Sequence, residues 1–318
     1  MKFRPACARL AAACAFSMAL TLGLTCAQSA NAAEGTRSLW DHNNLVACVV
    51  NHFDTKSRDG EQVAQMLNEL GITKYSYNWR ETDVANFDAE IDAMQKHKIQ
   101  IVAWVLYGSE NPHFQLILDT FKRHHIHPQL WIEETQKGFE TQPTADQQKD
   151  QVNREADRIA PLVKQAKPYG VKVILYNHNG WFGMEDNEIA VIARLKQRGV
   201  TNVGMVYNFT HARDKAHDDS KDFPALWAKM KPHVVEVNIT GTAMDDNKHV
   251  LYPSQGDAEL DMLRTIQKSG WRGPIGITAE KGGDAEFTLT NYLLGLDWLA
   301  AELKHPGSGG PRPFANAP

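Results

Sequence analysis

Between residues 44 and 278 the chain repeats one pattern eight times: a short apolar run, a polar turn, then a longer amphipathic stretch. The runs are NLVACVV (44–50), KYSY (74–77), IQIVAWVL (99–106), PQLWI (128–132), VKVILY (171–176), NVGMVY (202–207), HVVEVNI (233–239) and PIGIT (274–278). Runs this short and this apolar read as strands buried on both faces, the kind found in parallel sheets. Parallel neighbours need a crossover of a dozen residues or more, and the amphipathic stretches supply it. GEQVAQMLNELG, for example, places Val63, Met66, Leu67 and Leu70 on one helical face and stops at Gly71, a C-cap signal. FDAEIDAMQKHK, HFQLILDTFKRHH, DNEIAVIARLKQRG, DFPALWAKMK and DAELDMLRTIQKSG behave alike. Eight such units in about 265 residues predict a single-domain (β/α)8 TIM barrel over residues 40–304. A doubly wound open sheet is the alternative.

The ends of the chain read differently. Residues 1–32 carry Lys2, Arg4 and Arg9, then an apolar stretch, then Ala30-Asn31-Ala32. That is the layout of a cleaved secretory signal, which predicts a periplasmic or extracellular protein with no membrane span after cleavage. Its removal takes three positive charges and no acid, moving the formal net charge from −4 to −7. No basic stripe remains for a nucleic acid. Three of the four cysteines leave with it, so Cys48 has no disulfide partner within the chain, and LVACVV predicts that it is buried. Residues 305–318, HPGSGGPRPFANAP, read as a Pro/Gly-rich disordered tail.

In a TIM barrel the residues just past each strand's C-terminal end surround the mouth, where active sites sit. Here they are Asn51, His52 and Asp54; Asn78, Trp79 and Arg80; Trp104 and Tyr107; Trp131, Glu133 and Glu134; Tyr176, Asn177, His178, Asn179 and Trp181; Tyr207, Asn208 and His211; Glu236, Asn238 and Thr240; Thr278, Glu280 and Lys281. Aromatic faces with amides, imidazoles and carboxylates suit a sugar, whose C–H faces stack and whose hydroxyls pair. No Gly-rich phosphate loop or Lys/Arg cluster is present at these positions. Two long stretches, 133–147 and 240–256, follow the fourth and seventh strands, and loops of that length are often functional. HHIH at 124–127 precedes a strand and so belongs to the opposite, structural face. Asp218, Asp219, Asp245 and Asp246 read as solvated loop acids.

The stretches YNHNGWFGMEDNEIAVIARL, VGMVYNFTHARD, VVEVNITG and GPIGITAEKGGDAEFTLTNYLLGLDWL resemble the secreted variants of the xylose isomerase-like barrels, the sugar phosphate isomerase/epimerase superfamily. The resemblance spans roughly residues 44–302. It implies a divalent metal held by a Glu after strand five, an Asp with a nearby His after strand six, often a His at strand seven and a Glu at strand eight. It also implies paired acids that shuttle a proton next to a carbonyl. At those places this chain has Tyr176 for the first Glu, Asn208 with His211, Asn238 or Glu236, and Glu280. Two carboxylate positions are thus neutral. The metal candidates are His178, Asn208, His211 and Glu280, a set open to Zn2+, Mn2+ or Mg2+.

The expectation is an enzyme that isomerises, epimerises or β-eliminates a carbohydrate or keto-sugar. Glu280 is its base, and His178 or His211 the acid partner. Asn51, Asn177, Asn208, Asn238, Trp104, Trp131 and Trp181 bind the substrate. The alternatives are a non-catalytic carbohydrate-binding barrel with a degenerate metal site and a glycoside hydrolase pairing Glu280 with Glu134 or Glu236. If Glu133, Glu236 and Glu280 all point away from the mouth, the binding barrel is favoured over the enzyme.

Overall fold

The computed structural model describes residues 38–108, 110–134, 139, 143–178, 180–213, 217–243 and 250–314. The expected signal segment lies outside them, as do Asn179, Asp245, Asp246 and parts of both long loops.

Eight strands form one closed parallel barrel in sequence order. They are β1 (Leu45–Cys48), β2 (Lys74–Asn78), β3 (Gln100–Tyr107), β4 (Gln129–Glu133), β5 (Val173–Tyr176), β6 (Val203–Asn208), β7 (Val234–Ile239) and β8 (Ile275–Thr278). Each of the eight apolar runs coincides with one strand, β2, β3, β4 and β6 running one residue past it. Closure is decided by β1, which pairs with β2 on one side and with β8 on the other. An open doubly wound sheet has no such pairing. The register slips once between β2 and β3 and once between β6 and β7.

The eight barrel helices are α1 (Gly60–Glu69), α2 (Phe87–Lys96), α3 (Phe114–Arg123), α4 (Ala145–Ala166), α5 (Glu185–Gln197), α6 (Phe223–Met230), α7 (Glu259–Lys268) and α8 (Ala285–Lys304). Local chemistry sets several starts. Asp59 and Thr144 each close a capping box, with Gln62 and Gln147 reaching back to the cap. One extra helical turn, Val50–Phe53, follows β1.

Alternation along the strands separates two cores. The larger fills the layer between sheet and helices, with Leu45, Tyr77, Trp104, Leu130, Leu175, Tyr207 and Val237 facing outward. The smaller fills the barrel interior, with Val46, Cys48, Ala103, Val105, Trp131, Ile174, Tyr176 and Val206. Cys48 is buried there as a free thiol, as its sequence context predicts. Gly276 is required beside it. A Cβ at that position would lie 1.9 Å from Asn238 Oδ1 and 3.1 Å from Cys48 Sγ, so only glycine admits the Asn238 amide.

Of the expected tail, residues 305–314 are among the described residues and 315–318 lie outside them. Its composition suggests disorder, yet residues 305–314 pack back onto the barrel. Arg312 lies over the Trp298 ring and donates to the carbonyls of Ser254 and Gly256, and Phe314 packs on Tyr252. Glu302 accepts from the amides of Gly307 and Gly309. One arginine and two aromatic contacts outweigh the entropy that Pro/Gly content alone suggests.

Candidate active site

Four ionisable side chains meet at the C-terminal mouth. Glu133, the last residue of β4, is buried and accepts from His178 Nδ1 at 2.9 Å. His178, two residues past β5, packs against His211 with ring centroids 4.3 Å apart. Glu280, two residues past β8, accepts from the Thr210 hydroxyl at 3.1 Å. Burial raises the Glu280 pKa above the ordinary carboxylate range; the Thr210 hydroxyl and nearby His178 oppose that shift, and Glu133 adds to it. Glu133 and Glu280 thus approach His178 from different strands. Tyr107 and His52 form the other wall, with ring centroids 6.0 Å apart. The Tyr107 hydroxyl accepts from Asn78 at 2.7 Å, and burial pushes its pKa up to about 12.

Beneath these groups lies a neutral layer. The Tyr176 hydroxyl accepts from Asn208 Nδ2 at 2.8 Å and from Asn238 Nδ2 at 3.4 Å. Its pKa is raised far above the ordinary phenol value, by burial first. Asn208 Oδ1 in turn accepts from the Thr210 amide. Trp131 packs under Tyr176, and its indole N–H points down the strand to Gln129.

The residues expected at the mouth therefore divide. Glu280, His178 and His211 come together there, with Asn208, Asn238 and Trp131 directly below. Trp104 does not. It points outward, stacked on Tyr77 at 4.0 Å and edge-on to Phe87 and Phe121. Trp181 packs in the helix layer and donates to Gln148 of α4. Asn51 is consumed in joining β1 to β2, accepting from the Tyr75 hydroxyl and the Asn78 amide and donating to the Asn78 carbonyl. Asn177 is fully buried facing outward, where it accepts from the Asn208 amide at 2.7 Å and donates to Glu185 at 3.2 Å. Glu134 turns away to Arg158, and Glu236 lies inside the barrel at the end of a cavity of about 580 Å3 that is also lined by Lys74, Lys172, His125 and His127. Neither Glu134 nor Glu236 faces Glu280 across a cleft, so the hydrolase pairing has no support.

A second cluster stands behind the β5–β6 wall. Glu185 of α5, His217 and Asp219 bring one oxygen or nitrogen each within 4.8 Å of one another, the only such group of three among the described residues. His217 Nε2 is 2.6 Å from Asp219 Oδ1 and 3.6 Å from Glu185 Oε2. The Asp219 and Glu185 contacts raise the His217 pKa to about 10. Asp219 was expected to be a solvated loop acid. It is instead buried, because Tyr207 reaches it from the sheet with a 2.6 Å hydrogen bond. Its neighbour Asp218 pairs with Arg213 at 2.9 Å.

No protein-family model matches the sequence, and no curated protein does. Solved structures match the fold over nearly their whole length. The IOLI protein with a bound zinc atom aligns with a TM-score of 0.61 at 14% identity, covering 81% of this chain and 98% of that one. A 3-keto-D-glucoside 4-epimerase from E. coli aligns at 0.59 and 14%, covering 81% and 98%. A xylose isomerase-like TIM barrel protein from Mycobacterium smegmatis, solved with magnesium, aligns at 0.51 and 13%, covering 82% and 100%. These structures share the closed eight-stranded parallel barrel fold of this chain.

The metal implied by the resemblance to xylose isomerase-like barrels can be tested against these side chains. At strands five, six and seven the chain offers Tyr176, Asn208 and Asn238, and these already satisfy one another. Hard divalent cations take several oxygen ligands, usually carboxylates. Three neutral groups bonded among themselves do not fit one. Among the described residues the donor set that does fit is Glu185, His217 and Asp219, one layer outward. The expected quartet of His178, Asn208, His211 and Glu280 is not such a group.

The site list drawn from sequence omitted Glu133, Tyr107, His52 and Thr210, although all but Thr210 stand among the strand-end residues. Glu133 was recoverable, because it ends β4 in the inward register set by Trp131. Thr210 had no signal, since its role depends on the short turn Phe209–His211 after β6.

Proposed function

We propose that the chain is an enzyme that moves a proton next to a carbonyl in a carbohydrate or keto-sugar, by isomerisation, epimerisation or β-elimination. The observation that carries this reading is that Glu280, held by Thr210, and the Glu133–His178 pair come from different strand ends to one mouth, near enough for His178 and Glu133 to act on the Glu280 carboxyl. Glu280 takes the proton from carbon. Its pKa, raised by burial, matches it better to that task than an exposed carboxylate. The electron pair left on carbon passes to the carbonyl oxygen. Tyr176 has both acceptor positions occupied by Asn208 and Asn238, which leaves its hydroxyl hydrogen to stabilise that oxygen. His178, oriented by Glu133, returns a proton, with His211 beside it. No metal is required at any of these steps.

Among the solved relatives, one is a 3-keto-D-glucoside 4-epimerase. That supports a ketone-bearing sugar as the first class to try. The signal-like start supports action outside the cytoplasm, on free sugars or glycosides.

The test is exchange of carbon-bound hydrogen in D2O, followed by proton NMR on a panel of ketoses and keto-glycosides. Exchange that disappears in Glu280→Gln supports the reading. Tight binding of unmodified sugars without exchange anywhere in the panel would replace it with the non-catalytic binding barrel. That second reading draws on the neutral Tyr176–Asn208–Asn238 layer, which is what loss of a metal centre leaves behind.

A further inference from the structure

We infer that Glu185, His217 and Asp219, with Glu188, form a binding site for one divalent cation of the Zn2+ or Mn2+ class, separate from the mouth.

The donor set is suitable. Zinc accepts imidazole nitrogen and carboxylate oxygen together, and Mn2+ also takes both. The geometry is prepared by the surrounding residues. Asp219 accepts from the Tyr207 hydroxyl on Oδ2, which turns Oδ1 toward His217 Nε2. Glu185 accepts from Asn177 on Oε1, which turns Oε2 toward the same nitrogen. Each acid is thus held by one oxygen and presents the other. Outer partners of this kind are how metal ligands are usually oriented.

Glu188 is the independent observation. It is fully buried on α5, one turn beyond Glu185 on the same face. Neither of its carboxylate oxygens has a hydrogen-bond partner among the described residues. Among the described residues Glu185, one helical turn away, is the charged group that acts on it. Two buried carboxylates converge on His217 here, a third stands one helical turn from Glu185, and an unpaired buried acid is costly. A divalent cation on Glu185, His217 and Asp219 would add positive charge among these acids, with Glu188 as a nearby counter-charge. Ligands from both places would tie the start of α5 to the segment after β6.

The experiment uses the full chain after chelator treatment and desalting. Zn2+ alone, then Mn2+ alone, is titrated by equilibrium dialysis with elemental analysis, and melting is followed in parallel. One equivalent is expected, with Tm raised by about 5 °C at saturation. Asp219→Ala should lose that equivalent, whereas His178→Ala and Glu280→Gln should keep it. Glu188→Gln, which leaves the His217 contacts intact and guards against a variant that fails to fold, should bind at least 10-fold more weakly. Absence of binding by the wild-type chain overturns the inference. So does an equivalent that survives Asp219→Ala and Glu188→Gln, or one lost in His178→Ala. These readouts do not depend on turnover, so they stand apart from the fate of the proposed reaction.

Discussion

The two ionisable clusters lie on opposite sides of one wall, and successive residues of one strand end serve them. His178 faces inward to Glu133 at the mouth; Asn177 faces outward to Glu185. The alternation of a strand makes this possible. The clusters are built for different tasks. At the mouth, Glu280 and the His178–Glu133 pair come from separate strands, each held by its own partner. Behind the wall, Glu185, His217 and Asp219 converge on one point. Separately held groups suit proton transfer to a third body; convergence suits holding an ion. Chemistry that one metal-centred site can combine is here divided between two.

The sharpest way to break that contrast is Glu280→Gln. We expect turnover to fall about 10^2- to 10^4-fold with Tm nearly unchanged. A melting loss matching the activity loss would make Glu280 a structural acid and erase the difference between the clusters. Next in size is His217→Ala. It removes the one base between two buried acids and should cost about 2–4 kcal/mol in urea denaturation, with the mouth still able to bind ligand. A neutral result would mean that the convergence is incidental.

Tyr176→Phe probes the neutral layer between. Two buried amides lose their acceptor, so about 1–3 kcal/mol of stability should go. Turnover should fall as well if the phenol hydrogen stabilises the developing oxyanion. Loss of stability alone would make the layer a plug. The last probe is Glu236, a buried acid belonging to neither cluster. Burial raises its pKa to about 8. The folded chain therefore keeps a proton that the unfolded chain releases above about pH 4.5, and stability falls as pH rises from there to about pH 8. Glu236→Gln should flatten that slope, read as Tm measured against pH across the window. An unchanged slope would reassign the pH dependence to other buried acids such as Glu90, which burial lifts to about 7.

Much of the barrel was legible because strand period and helix period differ, and each apolar run held one strand. Glu280, His178 and His211 were legible because they follow strands, and barrel topology gathers strand ends whatever the loops do. Trp104 was misplaced for a specific reason. Position along a strand tells how near a residue is to the mouth, but facing depends on the register of a single step, and the register slips between β2 and β3. The second cluster was illegible for another reason. Asp219 sits in a run that composition alone makes a solvated loop, and only the Tyr207 hydroxyl, arriving from β6, marks it as buried. Glu188 read as one polar position among several on an amphipathic helix.

The packed C-terminal segment has a practical consequence. Arg312 grips the carbonyls of Ser254 and Gly256, at the far end of the long loop that follows β7. Whatever is fused to the last residues pulls on that loop. An affinity handle placed there should alter ligand capture even though it touches no mouth residue. For recombinant work the handle belongs at the other end, ahead of Ser38, and paired preparations tagged at each end would measure how firmly the final residues steer the seventh loop.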